Sequence, residues 1–156
     1  MNPLKLVVSI LLCEATGIIG SVFTIPAISG WYASLQKPFF VPPSWIFAPA
    51  WTILFLLMGI SLYLVWEKGF KEKKAKIALV FFIIQLVLNV LWSALFFGLK
   101  SPFLAFIGII FLWLYIAITI FEFRRISQKA ALLLLPYIVW VSFAALLNYF
   151  VWILNV

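Results

Sequence analysis

The stretch Ile77–Gly98, IALVFFIIQLVLNVLWSALFFG, has no charged residue, and its few polar side chains include Gln85, Asn89 and Ser93. The hydrocarbon core of a bilayer is about 30 Å thick, so an α-helix needs about 20 residues to cross it. A run of this length without period-2 alternation is typical of a transmembrane helix and argues against a β-barrel strand.

Four further apolar runs of similar length lie before and after this one. The whole chain is 67% hydrophobic and 10% charged, with a mean hydropathy of +1.25, which a soluble domain cannot bury. We therefore predict an all-α membrane protein, one domain over residues 1–156, built as a bundle of five transmembrane helices with a structured loop between the first two. The predicted spans are residues 6–26, 44–66, 77–98, 103–121 and 131–153.

The first run has one alternative interpretation, as a signal peptide, because Lys5 precedes it. However, Glu14 interrupts the run and no convincing small-residue cleavage site follows, so we interpret it as a span. Glu14 is the only acid well inside a predicted span. A carboxyl there is a functional candidate by default, and we expect it to be protonated and hydrogen-bonded within the bundle.

The segments between the runs differ in charge, and this difference predicts the orientation. All but two of the eleven Lys and Arg residues lie at the N-terminus or in the second and fourth connections; the exceptions are Lys37 and Lys100. Because cytoplasmic loops carry the excess of basic residues, we expect a cytoplasmic N-terminus and an external C-terminus. Topology alone accounts for the net charge of +7, so we expect no nucleic-acid partner.

The residue inventory excludes several kinds of chemistry. Cys13 is the only cysteine, and the chain has no histidine, so a disulfide framework, histidine-based catalysis and an ordinary zinc site are not available. We expect no metal site and no required cofactor.

Tryptophans are unusually frequent, and four of the eight lie deep in the predicted spans: Trp51, Trp92, Trp113 and Trp140. At 1.5 Å per residue, Trp51 and Trp92 lie roughly 10 Å below the outer ends of their helices, Asn89 roughly 14 Å and Trp140 roughly 18 Å. Three helices thus place large aromatic side chains and one amide in the outer half of the bundle. The first connection, AISGWYASLQKPFFVPP at Ala27–Pro43, covers this region.

The third helix carries Gln85, Asn89, Trp92 and Ser93 on one face. This face either holds helices together by hydrogen bonds or lines a cavity, and the spacing alone does not decide. The pairs Trp51 with Phe55 and Trp140 with Ala144 leave the same choice open.

Prolines also occur inside the predicted spans. We expect Pro49 and Pro136 to bend the second and fifth helices, because each removes a backbone hydrogen bond.

Three segments together carry a family resemblance: WYASLQKPFFVPPSWIFAPAWT at Trp31–Thr52, LNVLWSALFFG at Leu88–Gly98 and PYIVWVSFAALLNYFVW at Pro136–Trp152. They resemble the TspO/MBR family of translocator proteins and peripheral-type benzodiazepine receptors. The resemblance implies a five-helix bundle in the membrane, often a homodimer and here of a bacterial cell membrane. It also implies a receptor or sensor whose outer-half cavity binds tetrapyrroles such as protoporphyrin, or other flat hydrophobic ligands. The ligand-binding positions that it implies are Tyr32, Trp51, Phe55, Asn89, Trp92, Ser93, Trp140 and Ala144.

Two alternative functions follow from the same resemblance. Some bacterial relatives are reported to degrade protoporphyrin in light, which would make Trp51 and Trp140 catalytic residues and the tetrapyrrole a substrate. Transport of the ligand across the membrane is a further alternative. Some relatives bind cholesterol, but the corresponding motif needs Lys or Arg after its tyrosine, and none follows Tyr149.

Overall fold

The computed structural model describes residues 2–156, and its helices begin and end close to the predicted spans. Between residues 2 and 156 the chain contains no β-strand, and five helical stretches are long and apolar enough to cross a membrane. The predicted fold class is confirmed. The five stretches are Pro3–Tyr32, Ser44–Lys68, Lys73–Gly98, Pro102–Arg124 and Gln128–Leu154.

Six α-helices make up these stretches, because the fifth stretch is broken in two. They are α1 (Pro3–Ala27), α2 (Phe47–Lys68), α3 (Lys73–Ser93), α4 (Pro102–Arg124), α5 (Gln128–Leu133) and α6 (Leu135–Leu154). Wide π-helical turns extend α1 over Ile28–Tyr32 and α3 over Ala94–Gly98, and a 3-10 turn at Ser44–Ile46 precedes α2.

Short polar residues begin three of the helices. Asn2 accepts hydrogen bonds from two backbone N–H groups of α1, and Ser101 and Ser127 each accept one at the starts of α4 and α5. Pro3 and Pro102 follow directly, at a position where a helix has no use for the missing N–H. These capping residues thereby determine where α1, α4 and α5 begin.

The two prolines that were predicted to bend helices differ in their outcome. Pro49 is the third residue of α2, in the first turn, where backbone N–H groups have no intrahelical acceptor. The predicted bend at Pro49 is therefore wrong. Pro136 lies at the start of α6, directly after Leu134, where the α-helix of the fifth stretch is interrupted. Pro26 lies inside α1, which continues through it.

The helices form a closed ring in which α1 packs against α2 and α3, α4 packs against α3, α5 and α6, and α5 closes the ring on α2. Gly59 allows a close approach of α1 and α2, since a Cβ atom there would lie 2.6 Å from Ile10 Cα.

The half of the bundle nearer the basic connections has a solid core. Met58, Val65, Phe82 and Phe123 are fully buried there, and the rings of Phe82 and Phe123 stack with their centroids 5.4 Å apart. We call this half the basic end. The opposite half, under the segment Leu35–Pro43, is called the loop end.

Candidate functional site

A cavity of about 360 Å³ opens in the loop end of the bundle, where α1, α2, α3 and α6 contribute its walls. Pockets that bind drug-sized molecules usually have volumes of about 300–1,000 Å³ and are mostly apolar with a few polar groups. This cavity fits that description, because aromatic and aliphatic side chains dominate its wall and two amides, Asn89 and Asn148, face it.

Two glycines of α1 bring this helix close to its neighbours in the cavity wall. A Cβ atom at Gly17 would lie 2.7 Å from the ring of Phe55, and one at Gly20 would lie 3.2 Å from the Ser93 hydroxyl. Both glycines therefore bring α1 close to its neighbours, so that Phe55 and Ser93 line the cavity from the opposite sides.

Tryptophan and phenylalanine rings form the α2 wall and its junction with α3. Trp51 stacks on Phe55 with centroids 5.6 Å apart and lies 6.3 Å from Trp92. Its other neighbour is Tyr137, at 6.2 Å edge to face. Offset and edge-to-face contacts of this kind hold aromatic side chains in fixed orientations, so the cavity presents a rigid indole surface.

A hydrogen-bonded row behind this wall joins α3 to α6. The Tyr137 hydroxyl donates to Gln85 Oε1 at 2.8 Å and accepts from Asn89 Nδ2 at 2.9 Å. Tyr137, Gln85 and Asn89 are all buried. The two interpretations of the α3 face therefore coexist, because Asn89 both ties the helices together and lines the cavity.

Asn148 is the important polar residue that sequence reasoning missed. It accepts a hydrogen bond from Trp92 Nε1 at 2.9 Å and donates to the Pro102 carbonyl at 2.7 Å, which fixes the Trp92 ring against the cavity. A signal was available, since Asn148 is an amide within a predicted span, one helical turn after Ala144, and a polar group in hydrocarbon must find a partner.

Tyr32 ends the π-helical turn that follows α1 and lines the top of the cavity. Its ring lies 6.2 Å from Phe96 and 5.8 Å from Phe97. Lys37 holds it from the loop side: the ammonium donates to the Tyr32 carbonyl at 2.7 Å and lies 4.8 Å from the ring centroid. A cation is favourable at the end of a helix, where carbonyl groups are unpaired.

The segment Leu35–Pro43 is attached to the fifth stretch. Asn155 makes a reciprocal pair of hydrogen bonds with the backbone of Gln36, at 3.0 and 2.8 Å. Phe40 packs edge to face on Phe150 at 5.5 Å and also contacts Phe143 at 6.4 Å. The loop is thus a structured cover, tied to the residue that follows α6.

The eight predicted ligand-binding residues do not all share this cavity. Trp140 lies outside the cavity wall, with its ring 5.9 Å from Phe47 and 5.8 Å from Phe143; Phe47 is the residue that lines the cavity at this level. The Trp140 Nε1–H is buried without a hydrogen-bond partner among residues 2–156. The other seven line the cavity: Tyr32, Trp51, Phe55, Asn89, Trp92, Ser93 and Ala144.

Trp113 also differs from the other deep tryptophans. Its Nε1 donates to Ser142 Oγ at 2.8 Å, and 37% of the residue is exposed at the bundle surface. Depth along a helix therefore did not show which way the Trp113 side chain faces.

The five helical stretches form a ring with an apolar, aromatic-lined cavity in one half and a solid core in the other. This arrangement defines a multi-pass membrane protein with an internal cavity. The comparisons with known proteins give the family. The TspO/MBR family model matches residues 9–153, and the chain belongs to this family, whose membership supports a role as a membrane sensor or receptor.

Close relatives match over nearly the whole chain. A tryptophan-rich protein TspO of Archaeoglobus fulgidus is 49% identical over 99% of both chains, and one of Chlorobaculum tepidum is 46% identical over 97% of this chain and 96% of its own. The translocator protein of Ovis aries is 45% identical over 78% of this chain and 73% of its own.

Proposed function

We propose that this protein is a membrane receptor or sensor that binds tetrapyrroles of the protoporphyrin type, and other flat hydrophobic molecules, in the loop-end cavity. The observation that carries the proposal is the indole surface of Trp51 and Trp92, which faces an apolar space of about 360 Å³. A planar aromatic ligand gains stacking contacts with such rings in addition to the burial of its own surface.

A titration in darkness tests the proposal. Protoporphyrin is added to the purified protein in lipid nanodiscs, and tryptophan quenching and the porphyrin absorption spectrum are followed together. Trp51→Leu and Trp92→Leu should each weaken binding about tenfold, since each removes an aromatic contact worth about 0.5–1.5 kcal/mol as well as buried apolar area.

The matched control is Trp152→Leu. Trp152 packs between Phe103 at 5.0 Å and Phe106 at 5.7 Å, away from the cavity, so this variant should bind as the wild type does. Equal affinity of all folded variants would refute the cavity as the binding site.

Trp140 needs a separate measurement, because the family resemblance implies a ligand contact that its position behind Phe47 does not provide. If Trp140 acts on the ligand, the Phe47 side chain must move aside when the ligand binds. Trp140→Phe should then change affinity less than the Trp51 variant does, while Phe47→Ala should expose Trp140 to quenching by the porphyrin.

Light-dependent degradation of bound protoporphyrin is the second candidate, and the observation that favours it is the oxidisable Trp51 ring in the cavity wall. Illumination of the complex, with a Trp51→Phe variant and with empty nanodiscs beside it, separates catalysis from binding. Loss of porphyrin absorbance at the same rate in all three samples would leave binding alone.

Transport has less support, since the basic end is filled by a buried core that includes Met58, Phe82 and Phe123.

For the orientation, we propose that the loop end faces outward and the N-terminus lies in the cytoplasm, because the basic connections lie at the opposite end from the cavity. Cys13 is buried, so an added cysteine can be labelled against a low background. A membrane-impermeant maleimide applied to intact cells should label Ser34→Cys and should not label Lys74→Cys. The reverse pattern would show the opposite orientation.

We further propose that the protein forms a homodimer in the cell membrane. The apolar outer surface of the bundle, which includes the exposed side chains Ile107, Phe111 and Leu114 of α4, can contact either lipid or a second copy. Cross-linking in native membranes, checked against the mass of the product, distinguishes a dimer from a monomer.

A further inference from the structure

Glu14 lies in the wall of the cavity and, among residues 2–156, is the only residue of that wall with a carboxyl side chain. It is one helical turn before Gly17, on the same face of α1, and therefore lies at the end of the cavity that is furthest from the loop. The residue is partly exposed, so its carboxyl can be reached from the cavity.

The bundle provides no partner for this carboxyl. Among residues 2–156, Glu14 takes part in no hydrogen bond and no ion pair, which corrects the expectation that it is hydrogen-bonded within the bundle. The cation nearest to it on α1 is Lys5, about 14 Å away along the helix axis, and the Lys5 ammonium lies over the Trp66 ring at 5.7 Å.

Three hydroxyl groups of the cavity lining, two on α1 and one on α2, differ from Glu14 in this respect. Ser21, Thr24 and Thr52 each donate to a backbone carbonyl of their own helix, at 2.6, 3.2 and 2.9 Å. The hydrogen atoms of these three hydroxyl groups are therefore not available to Glu14. Glu14 remains as a strong acceptor in the cavity wall whose partner must come from elsewhere.

We propose that Glu14 is a ligand-binding residue and that it selects flat hydrophobic molecules which carry a protonated amine. A carboxylate at membrane depth is costly unless it is paired, and an ammonium group that enters the cavity supplies the opposite charge and up to three hydrogen-bond donors. The aromatic rings of Trp51 and Trp92 would hold the apolar part of such a ligand. This inference rests on the proposed binding of flat hydrophobic molecules in the loop-end cavity and specifies their chemistry, and it does not depend on tetrapyrrole binding.

The test uses two pyrene probes of nearly equal shape, 1-pyrenemethylamine and 1-methylpyrene, and protein in phosphatidylcholine nanodiscs. Energy transfer from tryptophan to pyrene reports binding, and empty nanodiscs correct for partition into lipid. The measured quantity is the ratio of the Kd of 1-methylpyrene to the Kd of the amine. We expect this ratio to fall tenfold or more from wild type to Glu14→Gln, because the amide keeps the shape of the side chain but not its charge.

Thr52→Val is the control, since it changes a polar cavity residue whose hydroxyl is bonded to its own helix, and it should leave the ratio unchanged. Equal ratios in wild type and Glu14→Gln, with 1-methylpyrene still bound, would overturn the proposal, as would a wild type that binds neither probe. If Glu14→Gln does not fold, infrared difference spectra of the wild type decide: the amine must alter the carboxyl bands, and the same spectrum with both probes would overturn the proposal. Because protoporphyrin is titrated separately, failure here is distinguishable from failure of tetrapyrrole binding.

Discussion

The close contact between α1 and α2 at Gly59 predicts that a larger side chain there destabilises the protein. An alanine Cβ at this position would lie 2.6 Å from Ile10 Cα and 3.0 Å from both Ile10 N and Cγ1. Carbon atoms pack at about 3.5–4.0 Å, and two of these three atoms belong to the backbone, so rotation of a side chain cannot relieve the contact. The two helices must therefore separate by roughly 1 Å in Gly59→Ala.

Overpacking of this kind costs about 1–3 kcal/mol, whereas alanine would otherwise favour the helix by about 1 kcal/mol. Because two of the three close contacts are to backbone atoms, we take the upper end of this range, a net cost of about 2 kcal/mol. We therefore expect the midpoint of thermal unfolding, followed by circular dichroism in nanodiscs, to fall by roughly 4–8 °C. Because Gly59 is one helical turn from Phe55, affinity for cavity ligands should fall as well.

Gly30→Ala is the matched control, since nothing lies within 4 Å of a Cβ atom at Gly30. Its unfolding midpoint should stay the same or rise. If Gly59→Ala were as stable as Gly30→Ala, the close approach of α1 and α2 would not limit stability, and the reasoning would be refuted.

Two hydrogen-bonded groups supply the remaining predictions. Tyr137→Phe should destabilise the protein by about 1–3 kcal/mol in thermal unfolding, because Gln85 and Asn89 lose their shared partner in a buried site. Asn155→Ala should speed both association and dissociation of a cavity ligand, measured by stopped-flow quenching, with little change in Kd, because it releases Gln36 and with it the cover of the cavity.

Each of these predictions has a control in the same region. The Tyr149 hydroxyl makes no hydrogen bond among residues 2–156, so Tyr149→Phe should unfold as the wild type does; an equal loss in both tyrosine variants would point to packing rather than hydrogen bonding. For the loop, Asn155→Asp keeps an oxygen that can accept from the Gln36 N–H, so its exchange rates should lie between those of wild type and Asn155→Ala. Identical rates in all three proteins would show that ligand entry does not depend on this contact.

Membrane spans could be predicted from the sequence because hydrophobic length is a local property, and the bilayer sets that length for every helix. The ends of the spans were harder to predict. The first span was predicted to end at Pro26, yet α1 passes through this residue and continues as a π-helical turn to Tyr32. A proline removes only its own N–H, and helices in a membrane tolerate this where neighbouring groups adjust.

The sequence predicted the depth of the candidate-site residues along their helices but not the direction in which their side chains point. Counting residues along each helix gave the level of Trp51, Trp92 and Trp140, whereas rotation about the axis depends on how neighbouring helices pack. That rotation turned Trp140 towards Phe47 and Phe143. Asn148 was missed for the same reason, since its role depends on meeting Trp92 from another helix.

The reciprocal hydrogen bonds between Asn155 and Gln36 have a practical consequence for handling the protein. An affinity tag or fluorescent fusion joined directly after Asn155 would be attached, through these hydrogen bonds, to the cover of the cavity. The size and motion of such a tag would disturb the cover and therefore the entry of ligand. Attachment before Asn2, which lies at the basic end, keeps the label a full membrane thickness away from the entrance and is the better choice for any binding assay.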